Sequence, residues 1–151
     1  MIHATISHNK VLSSTAPNNG AIQIAGATAS LTMTNSIIAN TEGDADCAVA
    51  SGAVVDNGHN LIEDGGCITQ ESSLSGDPQL DGLSDNGGGP LTHALIEGSI
   101  AIDTAGSDTC LPVDQIGTAR PLGDQCDIGA FEGAISADID NTLHLPLLLK
   151  P

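Results

Sequence analysis

His93 is the first residue whose type could do chemistry. It sits in DNGGGPLTHALIEGSIAID, Asp85 to Asp103, behind the consecutive glycines Gly87 to Gly89. An imidazole titrates near neutral pH and can act as a general base when a nucleophile or an oriented substrate stands against it. The neighbouring hydroxyls are Thr92 and Ser99, and neither lies in the GxSxG turn that presents a catalytic serine. The glycines do not make a phosphate cradle either. A P-loop needs GxxxxGK followed by Ser or Thr, and no lysine occurs between Lys10 and Lys150. His93 is therefore expected to be structural, bonded to the backbone of a turn.

The carboxylates offer two other chemistries. Asp77, Asp81 and Asp85 recur every fourth residue, and GDADC, Gly43 to Cys47, carries two more, so calcium at an Asp-rich turn is the one candidate ion. Neither stretch matches an EF-hand loop, and the GGxGxD repeat is missing. The competing expectation is that these aspartates bond their own turn amides. Glycoside hydrolysis would need two carboxylates set about 5 Å or roughly 6.5–9.5 Å apart. Lyase action on an acidic polysaccharide would need a cation against the uronate together with a base, and Arg120 is the only internal candidate cation. Abundant aspartate is not a constellation, and no catalytic or cofactor-binding residue is assigned.

The balance of charge narrows the partners. The 151 residues carry 19 acids against 3 bases, a net charge of −16. Binding nucleic acid requires clustered Lys or Arg, so nucleic acid is excluded as a partner, and an acidic membrane surface is disfavoured by the same repulsion. Phe131 is the only aromatic residue, and 18 glycines accompany many small side chains. Such a core suits thin stacked strands better than a wide interior that needs aromatic filler.

Four cysteines remain to be placed. Cys47, Cys67, Cys110 and Cys126 form no CxxC and have no histidine at zinc-finger spacing. Three disulfide connectivities are open. Pairing Cys47 with Cys67 and Cys110 with Cys126 is favoured because each bond closes one modest loop, and it implies an oxidising, extracytoplasmic compartment. The opening MIHATISHNK has neither a basic start nor an apolar core, so it shows no signal peptide, and the expectation is part of a longer exported chain.

The elements that must position these residues are short strands. ATISHN (Ala4 to Asn9), NSIIAN (Asn35 to Asn40) and HNLIED (His59 to Asp64) each set a small apolar strand before a polar residue, usually Asn. AIQIAG and SLTMTNSIIA between them alternate apolar and polar residues. Repeats of unequal length fit coils of a parallel β-helix, whose turns vary while the strands stay stacked. Asparagines at the strand ends would bond between coils, or are simply turn residues. No segment has helical periodicity. Ser75 to Gly89 is turn-rich, and THALI, SIAID and DIGAFE follow as strand candidates. The final NTLHLPLLLKP is too short and too proline-broken to span a membrane. It reads as a capping strand or a processing tail.

The C-terminal half carries a resemblance. DPQL (Asp77 to Leu80), DNGGGPLTHAL (Asp85 to Leu95), GSIAIDTAG (Gly98 to Gly106), DQIGTARP (Asp114 to Pro121) and CDIGAFE (Cys126 to Glu132) occur in order. Together they resemble the closing signature of bacterial surface proteins with a choice-of-anchor Q domain, within the pectate-lyase-like superfamily of right-handed parallel β-helices. HNLIEDGGC resembles the coil before it. This copy has an extra glycine in the first turn, Ile100 where the pattern has proline, and Ile116 where it has arginine. The last change leaves Arg120 as the only cation of the region.

The expectation is thus an all-β, right-handed parallel β-helix with a loop-rich, disulfide-closed C-terminal region. Its parts are coils over residues 1–76, the closing segment over 77–133, and a tail or cap over 134–151. Arg120 is expected to pair with one or more of Asp103, Asp114 and Glu132. The resemblance implies a secreted or cell-surface location and a structural or adhesive role without catalysis, the alternative being a carbohydrate-active β-helix whose catalytic coils are missing or degenerate. Carbohydrate or another surface protein would be the partner, with self-association through an open coil end.

Overall fold

The structure is a computed structural model and describes residues 1–12 and 19–135. It is all-β. The strands are β1 (Thr5–Ser7), β2 (Gly20–Ile24), β3 (Ser30–Met33), β4 (Ile37–Ala39), β5 (Ala45–Val49), β6 (Ala53–Asp56), β7 (Leu61–Ile62), β8 (Leu95–Ile96) and β9 (Ala134–Ile135). A single 3-10 turn, Ser107–Thr109, is the only helical element among the described residues, and no helix is long and apolar enough to cross a membrane. The apolar tail from Asn141 lies outside the described residues.

All five pairings between named strands are parallel. They form sheets in the order β1-β4-β7, β2-β5 and β3-β6, so three strands are laid down and the next three return beside them. Ile37 of β4 lies between Thr5 of β1 and Leu61 of β7. Cys47 stands beside Ile22, and Val54 beside Leu31.

Two columns of left-handed corners flank the β1-β4-β7 sheet. Two residues before the register-matched trio stand His3, Asn35 and His59, with φ of 43°, 48° and 53°; three residues beyond Thr5 and Ile37 stand His8 and Asn40, with φ of 54° and 58°. Asn and His are among the few non-glycine residues enriched in this conformation. Their recurrence marks each bend into and out of the sheet.

This sheet is buried on both faces. Ile38 and Ile62 point into the space between the sheets, against Met33 and Cys47, with Ile6, Ile22, Leu31 and Val54 partly buried around them. Ile37, Ala39 and Leu61 point the other way and pack on Leu95, Ala101, Ala105, Cys126 and Ile128. β4 therefore reads as an uninterrupted IIA, whereas β3 alternates exposed and covered positions, as a strand with one wet face should. Burying each of these Ile or Leu side chains contributes about 1.5–3 kcal/mol.

The closing segment wraps the outer face of that sheet with little regular structure. Leu95 and Ile96 of THALI pair with Ala134 and Ile135. SIAID and DIGAFE, expected as strands, are turns and bends instead. Their apolar residues alternate because Ala101, Ile128 and Phe131 are buried, but Gly129 at φ 105° breaks the extended course, and Asp127 and Glu132 turn inward to accept backbone N–H groups. Cys47 bonds Cys67 and Cys110 bonds Cys126, with Cα separations of 5.9 and 6.1 Å. Two disulfides fit an oxidising compartment.

Candidate functional site

The charged residues converge in the closing segment, around Arg120. Its side chain is completely buried. The guanidinium donates through Nη1 to Glu132 Oε2 at 2.6 Å and to the Asp127 carbonyl at 2.9 Å, and through Nη2 to the Gly129 carbonyl at 2.8 Å. Glu132 also accepts from the backbone N–H groups of Leu122 and Asp127. Asp114 accepts from Ile116 and Thr118 through one oxygen and from Glu132 N–H at 3.0 Å through the other. Burial pushes the Arg120 value down, against the pull of Glu132, Asp114 and Asp127. Burial likewise pushes Glu132 up, against its backbone donors. Both directions follow from the burial of an ion pair, which here holds three loops together.

Of the residues expected around Arg120, Glu132 forms the ion pair and Asp114 belongs to the same cluster. Asp103 stands one step away: its N–H donates to Asp127 Oδ1 at 2.8 Å, and its carboxylate accepts from Gln125 N–H. Asp127, which no pairing argument singled out, connects the two through Gly133 N–H and Asp103 N–H.

Asp77, Asp81 and Asp85 do not converge. Asp77 accepts from Gln79 N–H and Asp85 from Gly87 and Gly88 N–H, each within its own turn, while Asp81 contributes its carbonyl to His93. Among the described residues no group of three or more His, Cys, Asp or Glu could hold a metal ion. In GDADC, Asp46 meets Asp64 instead, each carboxylate accepting the other's N–H at 2.9 and 3.2 Å. His93 Nδ1 donates to the Asp81 carbonyl at 2.7 Å, and its ring stacks on His8 with centroids 4.9 Å apart.

Two clefts open along the seam between strand stack and closing segment. One, about 310 Å³, is lined by His3, Thr5, Leu111, Val113, Asp114 and Arg120 among others. The other, about 320 Å³, is lined by Asn57, His59, Gly106, Ser107, Asp108 and Thr109. The second holds Ser, His and Asp side chains together, yet His59 Nδ1 is spent on the Thr104 carbonyl at 2.9 Å, and no hydrogen bond links it to Ser107 or Asp108.

Between the clefts runs the corner column, and each member binds the closing segment. His3 Nδ1 meets the Gly129 carbonyl at 3.3 Å, Asn35 Oδ1 accepts Gly106 N–H at 2.8 Å, and His59 reaches Thr104. Buried Asp56 is a second hub, accepting from Gly58, Thr69 and Gln70 N–H, Asn60 Nδ2 and Ser73 Oγ. The Asp-x-Gly turn of DNG was its only sign in the sequence. No protein family, curated protein or solved structure matches this chain.

Proposed function

We propose that the chain is the closing end of an extracellular right-handed parallel β-helix of the choice-of-anchor Q kind, serving as a non-catalytic stalk or adhesive module on a cell surface. The observation that carries this is the register. Successive triplets of strands return in parallel, and Asn60 Oδ1 reaches across to Ser36 N–H, 24 residues earlier, as coils of such a solenoid would. The five ordered blocks from Asp77 to Glu132 supply the family expectation, and two disulfides favour an exported location.

The carboxylates favour structure over chemistry. Asp56, Asp114, Asp127 and Glu132 are consumed by backbone donors, which leaves none of them free as a general acid or base. β1, β2 and β3 have a strand neighbour on one side only among the described residues, which favours association through that edge. Incubation of the chain with a panel of neutral and acidic polysaccharides tests the assignment. Binding without chain cleavage is the expected result; cleavage that disappears on substitution of an aspartate would replace it with a carbohydrate-active enzyme.

A further inference from the structure

The four described histidines, His3, His8, His59 and His93, all lie where the strand stack meets the closing segment. Neither disulfide crosses that boundary. Cys47–Cys67 lies within the stack and Cys110–Cys126 within the closing segment, so the two are held together by packing and hydrogen bonds. We infer that this seam is an acid-labile latch, in which protonation of His3 at Nε2 loosens the closing segment from β1 and β4.

The hydrogen-bond network fixes the tautomer of His3. Asn35 Oδ1 accepts Gly106 N–H at 2.8 Å, so its Nδ2 must be the atom that faces His3 Nε2 at 3.0 Å, and it donates there. His3 Nε2 is then an acceptor, and Nδ1 carries the proton toward the Gly129 carbonyl. A proton added at Nε2 would break the Asn35 donation to His3 in a buried place, either setting donor against donor or turning the Asn35 hydrogens to Thr109 Oγ1 and the Gly106 carbonyl. The charged group of the closing segment that acts on His3 is Arg120, also unfavourable to a second cation; Asp114 lines the same cleft, but both its oxygens are occupied by N–H groups. Burial first, and Arg120 second, hold His3 below the ordinary histidine value. A lowered histidine value means full seam strength above about pH 6.5, lost as pH falls from there through the folded value.

His8 and His93 add a second contact across the seam, their rings stacked with planes 11° apart. Glu42 faces His8 and is itself engaged by Lys10 at 2.9 Å. His59 differs in its contacts: it holds Thr104 through Nδ1, and among the described residues its other nitrogen makes no hydrogen bond across the seam, so it serves as the comparison site.

Hydrogen exchange of the intact, oxidised chain from about pH 7.5 to about pH 5, corrected for intrinsic exchange rates, reads the latch directly. The informative amides cross the seam: Gly129 N–H to the Asn35 carbonyl and Ala130 N–H to Thr5 Oγ1. Their opening constant should rise below pH 6.5 by up to about tenfold per pH unit for each histidine that titrates differently on opening. His3→Asn should flatten the His3 part of the rise, and His59→Asn should keep the slope; Asn suits both sites, since Asn35 holds the same left-handed corner between them. A wild-type opening constant indifferent to pH, or an undiminished slope in His3→Asn, would overturn the inference. If His3→Asn does not fold, the imidazole resonances of the wild type decide: His3 must titrate below the ordinary histidine value, and titration at or above it refutes the latch.

Discussion

Arg120 and Glu132 are an ion pair with neither side chain exposed to water. The 2.6 Å contact joins the loop before Pro121 to the end of the segment, and two backbone carbonyls complete the cradle around the guanidinium. Removing one partner leaves the other charge buried without its counter-ion. Arg120→Ala is therefore expected to destabilise the chain by about 3–5 kcal/mol, and Glu132→Ala by a similar amount. Replacing both with apolar residues of similar volume should cost much less than either single change. Urea denaturation of the three variants checks this, and an Arg120→Ala protein as stable as the wild type would remove Arg120 from its structural role.

The disulfides act on separate parts of the fold. Cys47–Cys67 spans 20 residues and ties β5 to the turn after β7, while Cys110–Cys126 spans 16 and closes the loop that carries Arg120. Each is expected to contribute about 3 kcal/mol by restricting the unfolded chain. Cys110→Ser with Cys126→Ser should loosen the Arg120 cluster while leaving β5 paired with β2, which amide exchange would resolve. Thiol titration under denaturing conditions of protein taken from its native compartment should find none free. Four reactive thiols would argue against export.

Parts of this arrangement were written plainly in the sequence. NSIIAN was legible as a short apolar strand ended by asparagine, though read with one buried face where β4 is buried on both, and all-β character followed from short alternating runs without helical period. DIGAFE and SIAID looked equally strand-like, but their alternation records burial against the β1-β4-β7 sheet, which imposes no extended backbone. The same limit hid the seam. His3 meets Gly129 and Asn35 meets Gly106 across 126 and 71 residues, and no local pattern encodes a contact of that span. Arg120 was easier, because a lone cation among carboxylates must find one; which carboxylate was decided by the course of the loops.

Asp56 should govern part of the acid response. Burial pushes its carboxyl up, but the donors from Thr69, Gly58, Asn60 and Ser73 outweigh that and hold it below the ordinary aspartate value. Its contribution is fully present above about pH 3.9 and is lost as pH falls from there through the folded value. Asp56→Asn turns an amide donor toward N–H groups that need an acceptor, at about 1–3 kcal/mol near neutral pH. Acid unfolding of Asp56→Asn, followed by circular dichroism, should be less steep below pH 4 than that of the wild type. An unchanged steepness would mean that other carboxylates dominate.

The closing segment lies close against the sheet at Gly129. Its φ is 105°, and a Cβ there would stand 2.8 Å from Ile37 Cδ1 and 2.9 Å from Thr5 Oγ1. Two penalties coincide: roughly 1–2 kcal/mol for a side chain in a left-handed backbone and about 1–3 kcal/mol for forcing atoms into a packed contact. Gly88 separates them, since at φ 83° its Cβ would meet nothing within 4 Å. Gly129→Ala should therefore lose more stability than Gly88→Ala, and the difference should shrink when Ile37 is shortened to Val, which withdraws one of the two crowding atoms and leaves Thr5 Oγ1. Equal losses for the two glycine variants in urea denaturation would mean that the closing segment does not press on β4 at this point.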